Sequence, residues 1–393
     1  MKLHEHTKEA LRVMKPADFD NIANRFPQTD MAWHGHCATR FAGPFVGNYM
    51  DRIDVDPIVI GHSAPKCGYT QRQFYEIPEL GAHCVAFCNE LYDLLPVTHW
   101  FYSNVWLDSL GAPLEVTDKL PYIIPDGVPN NRPADKPENV DKLEVPDVDE
   151  IENTLSGQLY IRAWDYCKEK IPHMFVPIHF GFCVYSMSAE MAEPNNFLMW
   201  AYTQPEMCHK LLQTITDTSI NAAIMIANRY GFAMMTPGGV LSNTTVLKPN
   251  MVKELAVDYH RQLVRKSFRG GAGPQLWYHL CGDHSMDYEL WKEVMISPFT
   301  VIHIGYDGKN VFPAKKLIDT FGNMMTVMAS CDTILLNDGP PKAVYDQCKP
   351  QIEGLLGAPR GFIIGAACEV PTFAPPSSIL AMVRAARDFG KLD

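Results

Sequence analysis

Three residues carry the strongest chemical signal in the 393-residue chain: His279 and Cys281 in LWYHLCGDHS, and Cys368 in GFIIGAACEVP. Each motif follows a run of apolar, β-branched and aromatic residues that reads as a strand. Positions i and i+2 of a strand share a face, so the imidazole of His279 and the thiol of Cys281 point the same way. One nitrogen and two sulfurs, if the strand ends meet, make three ligands for a borderline-soft ion. That is the zinc pattern for a site that keeps a position open for substrate. Bound thiolates are deprotonated at neutral pH, which suits a zinc that activates an incoming oxygen or sulfur. Spacing alone supports equally well a His279 satisfied by the backbone and two small cysteines filling core space, because H-x-C is short and the third residue is remote.

The elements expected to position these residues alternate. HMFVPIHFG (173–181) reads as a strand, followed by a helix over 204–230 with Pro205 in its first turn and Gly231 as its stop. FAMM (232–235), a helix over about 249–268, QLWYHL (275–280), VIHIGYDG (301–308), TILLN (333–337) and GFIIGA (361–366) come next, and a last helix spans 377–389. Strands separated by helices of this length imply βαβ units and a parallel sheet, and their low charge fits strands covered on both faces. Seven or eight such units favour a closed (β/α)8 barrel over an open doubly wound sheet, and no G-x-G-x-x-G opens the first unit. The chain is expected to form one domain over 1–393, with a helical extension over 1–20 and a Pro-rich, acidic surface excursion over 130–153.

Composition narrows the function. With 47% hydrophobic and 20% charged residues the chain is globular, and 34 basic against 45 acidic residues give a net charge of −11 with no basic block, which argues against nucleic acid. The charged start and the lack of an apolar stretch of about 20 residues predict a cytoplasmic protein without a membrane partner. Eleven cysteines, an odd count, and 19 methionines read as reduced, oxidisable sulfur rather than a disulfide framework, and suggest an anaerobic host.

The segment GFIIGAACEVPTFAPPSSILAMVRAARDFG resembles the C-terminal signature of the uroporphyrinogen decarboxylase superfamily, where a G-F-I-x-G-x-x-C-x-x-P strand end precedes a Pro-rich turn and a last helix. YHLCGD resembles its H-x-C-G motif. PENVDKLEVPD and FLMWAYTQPEMCHKLL are similar to its middle segment and to a helix entry, so the likeness runs from about residue 20 onward. Within the superfamily, H-x-C plus a distal Cys is the zinc signature of the cobamide-dependent methyltransferases. The metal-free decarboxylases open on R-Q-A-G-R-Y, whereas this chain reads AWHGHCATRF there, with only Arg40 near its end.

The resemblance implies a (β/α)8 TIM barrel of the uroporphyrinogen decarboxylase type, with zinc held by His279, Cys281 and Cys368 at the mouth. A carboxylate is a frequent fourth ligand in the group; Glu190 is the first candidate and Asp307 the second. Both are also candidate catalytic groups, Asp307 as acid or base at a strand end. Trp33, His34, His36, Tyr185 and Tyr306 are candidates for lining a substrate pocket, with Phe180 as another aromatic near the mouth. His83, Cys84 and Cys88 sit at helical spacing and read as core, while His284 reads either as support for the metal or as loop surface.

The implied activity is zinc-dependent methyl transfer between a small-molecule donor and the cobalt of a cobamide carried by a corrinoid protein. A methoxylated aromatic donor is the first expectation, giving O-demethylation. Methylcobamide:coenzyme M methyl transfer is the alternative, and a metal-free decarboxylase-like reaction the second alternative.

Overall fold

The computed structural model describes Gly43 and residues 52–99, 106–113, 132–171, 180–231, 233, 235–272, 277–294 and 300–391. Trp33, His34, His36 and the expected extension over 1–20 lie outside the described residues. Eight strands occur among the described residues: β1 (Asp54–Val55), β2 (Phe180–Phe182), β3 (Met235–Gly239), β4 (Trp277–Asp283), β5 (Val301–Asp307), β6 (Asn310–Val311), β7 (Thr326–Cys331) and β8 (Phe362–Ala366). They fall in two compact units, one drawn from Met1–Trp100, Arg162–His179 and Val301–Asp393, the other from Phe101–Ile161 and Phe180–Thr300.

In the first unit, β1, β8, β7 and β5 lie side by side and all pairs are parallel, with Asp54 opposite Ile363, Met328 opposite Ile363 and Val301 opposite Thr326. β6 folds back on β5 as an antiparallel hairpin. Every residue of β7 and β8 is buried, as a strand packed on both faces requires. The polar groups this traps are paired: His303 Nε2 lies 2.9 Å from Ser330 Oγ, and Thr326 Oγ1 donates to the Arg360 carbonyl at 3.0 Å.

One expected element is different. TILLN is not a strand: Thr333–Asp338 is a helix, and the strand is the preceding TVMASC of β7. Asp332 decides this by capping the helix, its carboxylate accepting the Leu335 N–H at 2.8 Å. A short apolar run has no period to separate strand from helix, so the cap is the discriminating residue. Ile334 is accordingly 69% exposed.

In the second unit, β2, β3 and β4 form a parallel set, with Phe180 opposite Met235 and Gly238 opposite His279. FAMM contributes only its last residue to a strand, because β3 begins at Met235 and continues through TPGG. The helix Pro205–Tyr230 has its expected bounds: Pro205 occupies the first turn, and Gly231 ends it at φ 86. The helix expected over 249–268 runs from Pro249 to Arg269 through a π-helical turn at Lys253–Val257, which shifts the face presented by everything after it by one residue. The acidic segment after residue 131 holds two short helices, Pro137–Val140 and Val148–Glu152, the latter with an Asp147/Glu150 capping box. Val140 and Ile151 are fully buried, and the Asn221 amide donates to the Pro146 carbonyl at 2.8 Å. The segment therefore joins the packing of its unit instead of standing off in solvent.

Candidate metal centre

β4 is two-faced. Trp277, Tyr278 and Leu280 are fully buried, while His279 and Cys281 are half-buried. Tyr278 hydrogen-bonds His260 Nδ1, and both rings pack against Trp291 with centroids 5.7 and 5.5 Å away. Burial lowers the His260 imidazole to about 3 and pushes the Tyr278 hydroxyl well up, so this anchor is a neutral hydrogen bond. With Tyr278 and Leu280 locked on one side, the alternation of the strand commits His279 and Cys281 to the other.

Two glycines admit this arrangement. A Cβ on Gly238 would stand 2.7 Å from the His279 carbonyl oxygen and 3.3 Å from Cys183 Sγ, so only glycine lets β3 come this close to β4. Gly282 takes φ +86 directly after Cys281 and turns the chain away at the strand end.

Cys368 comes two residues after β8, where the Ala367 N–H donates to the Cys331 carbonyl at 2.8 Å and the Val370 N–H to the Ile58 carbonyl at 3.1 Å. Between them Glu369 Oε1 accepts the Gly61 N–H at 2.6 Å. Burial pushes the Glu369 carboxyl up to about 7 despite that bond.

The ligand atoms of His279, Cys281 and Cys368 all lie within 4.8 Å of one another, the one such group of three or more His, Cys, Asp or Glu among the described residues. Tetrahedral zinc with sulfur at about 2.3 Å and nitrogen at about 2.0–2.1 Å sets its ligand atoms roughly 3.5–3.8 Å apart, a contraction within reach of small side-chain rotations. The donor set itself, one imidazole and two thiols, fits zinc with one coordination position left for a substrate atom.

The other candidates are placed elsewhere. Glu190, on the helix Val184–Ala192, pairs through Oε2 with Arg132 at 3.1 Å, and Arg132 also donates to the Glu190 carbonyl. Asp307, at the end of β5, holds Lys316 at 3.0 Å. Neither carboxylate belongs to the close group of ligand atoms. Tyr185 is buried edge-on against Phe197, with ring centroids 5.1 Å apart. Tyr306 shares a hydrogen bond with Thr333 Oγ1 at 3.1 Å.

His83, Cys84 and Cys88 are fully buried on the helix Pro78–Tyr92, and ten cysteines of the described residues are free thiols. His284 is fully buried and bonded to Cys281 and Asp287, so it supports the ligand strand. Sequence reasoning passed over three polar groups here: Glu369, although it stands inside the quoted ACEVP motif; Asp287, whose i+3 spacing from His284 was a readable signal; and Asp56, whose carboxylate meets His99 Nε2 at 2.8 Å. Among the described residues, no helix is long and apolar enough to cross a membrane.

The chain is 24% identical over 261 residues to the methylated-thiol–coenzyme M methyltransferase of Methanosarcina mazei, covering 66% of each chain, so the match spans just under two thirds of that relative. It superposes on a solved methyltransferase from Methanosarcina mazei with a TM-score of 0.72 at 16% identity, covering 90% of this chain and 98% of the other, and shares its fold. The α/β class with parallel strands and the fold type expected from the C-terminal signature are thus the ones observed. Residues 46–389 match the family described as Uroporphyrinogen decarboxylase (URO-D), and the chain belongs to that family.

Proposed function

We propose that this protein is a zinc-dependent methyltransferase that moves a methyl group between the sulfur of a small thiol or thioether and the cobalt of a corrinoid protein. The observation that carries the reading is the convergence of His279, Cys281 and Cys368, two thiols and an imidazole in one close group. The likeness to a methyltransferase named for methylated thiols and coenzyme M supports the reaction class and favours sulfur over a methoxylated aromatic oxygen as the methyl carrier.

Zinc held there acts as a Lewis acid that keeps a bound thiol in its nucleophilic thiolate form near neutral pH. The chain's own share is positional. The His279 imidazole and the two cysteine sulfurs fix three directions and leave the fourth for the substrate sulfur. The locked Tyr278 face keeps the two β4 donors from turning away, and Gly282 takes the chain off the strand directly beyond Cys281. Methyl transfer to or from cobalt then requires only that the corrinoid reach the substrate sulfur in line.

Turnover tests this. Anaerobic protein is mixed with free methylcobalamin and coenzyme M, and separately with Co(I) cobalamin and a methoxyaryl compound. Thiol-dependent loss of the methylcobalamin spectrum supports the proposal. Release of a phenol with no thiol activity would move the donor to oxygen, and inactivity in both assays with zinc bound would set methyl transfer aside.

A further inference from the structure

We propose that His284, held in place by Asp287, is a positioning residue for the Cys281 ligand; this deepens the zinc reading above and rests on it. His284 is fully buried, and its two ring nitrogens face two oxygens. Nδ1 lies 3.0 and 3.2 Å from the two carboxylate oxygens of Asp287, which is 1% exposed, and Nε2 lies 3.2 Å from the carbonyl oxygen of Cys281. A carbonyl only accepts, so Nε2 carries the hydrogen and donates it.

That bond grips one particular peptide group. The carbonyl of Cys281 belongs to the plane joining Cys281 to Gly282, and Gly282 sits at φ +86, a region where a glycine swings freely. Without a hold on this plane, the last residue of the ligand pair has a mobile hinge directly behind it. The ring is itself fixed: Asp287 binds its far side, the Asp287 and Tyr288 N–H groups donate to the His284 carbonyl at 3.3 and 3.1 Å, and Trp291 stands edge-on to it at 6.0 Å. The chain Asp287–His284–Cys281 thus sets the direction of the Cys281 sulfur through the backbone. Metal sites more often apply such support to the ring of a ligating histidine, and losing it typically weakens metal binding by about 10–100-fold.

The test is zinc affinity of the anaerobic apoprotein, by competition with a chromophoric chelator, together with the sulfur-to-cobalt charge-transfer bands of the Co(II)-loaded protein. His284→Met removes the donor at similar volume; His284→Gln retains an N–H donor. The expected result is zinc binding about 10–100-fold weaker in His284→Met, with altered charge-transfer bands and wild-type circular dichroism, and affinity largely rescued in His284→Gln. If His284→Met does not fold, Asp287→Leu, which leaves the ring but releases it, is read by the same two measurements. Wild-type affinity and an unchanged Co(II) spectrum in a folded variant, whatever its melting temperature, would overturn the positioning role alone. Absence of zinc binding by the wild-type protein would overturn the zinc reading, and this role with it.

Discussion

Gly238 and His279 face each other in the parallel register of β3 and β4, so closely that a Cβ at position 238 would stand 2.7 Å from the His279 carbonyl oxygen. The obstructing atom is backbone and has no rotamer by which to retreat. Gly238→Ala is therefore expected to push the two strands apart and destabilise the protein by about 1–3 kcal/mol. Urea unfolding measures the loss, and a midpoint equal to that of the wild type would show that the strands separate freely.

Cys281→Ala and Cys368→Ala each remove one sulfur from the close group. Elemental analysis of anaerobically purified protein should find about one zinc per chain in the wild type and almost none in either variant. Cys348→Ala, a fully buried thiol on the helix Pro341–Leu355, should keep its zinc. Equal metal in all four proteins would remove the two cysteines from the ligand set.

Arg52 is 1% exposed and places its guanidinium on Asp93, 2.9 Å from Oδ2, and that same oxygen also takes Arg387 at 2.6 Å. Asp93→Ala leaves a buried cation without its counter-charge and should cost about 3–5 kcal/mol, whereas Arg387→Ala, at the more exposed end, should cost less than about 1 kcal/mol. Chemical denaturation of the pair of variants separates the two terms. Similar small losses in both would mean that solvent reaches Arg52.

His83 is fully buried against the Tyr166 hydroxyl at 3.1 Å, and burial lowers its imidazole to about 3. The unfolded chain, with the histidine near 6.5, binds a proton that the folded chain refuses. Its contribution is therefore complete above about pH 6.5 and is lost as pH falls toward 3. Between pH 7.5 and pH 5 the wild type should lose about 2 kcal/mol more stability than His83→Gln, read from paired urea titrations. Parallel pH profiles would show that His83 takes up its proton without unfolding.

The periodic elements were the legible ones. Pro205 and Gly231 bracket their helix by backbone restrictions that need no tertiary context, and the alternation of WYHLC put His279 and Cys281 on one face before any neighbour was known. The family signature carried the remote Cys368 to them, which spacing alone left open. What stayed hidden depended on partners distant in sequence or on competing local bonds. Asp332 turned TILLN into a helix through one side-chain cap, and the closeness of β3 to β4 made a strand of the weak β-former TPGG. The aromatic pocket residues had no spacing to support them. Tyr185 is committed to Phe197, and Tyr306 to Thr333.

The strict two-sidedness of β4 makes the strand intolerant of changes in length. A single residue inserted before Trp277 and absorbed as a register slip would exchange its faces, turning both donors toward His260 and Trp291 and sending Tyr278 and Leu280 to the opposite side. Substitutions along WYHLCGD alter one contact at a time. An insertion there would lose the anchor and the donor pair together, so variation in loop length is confined to the connections on either side of this strand.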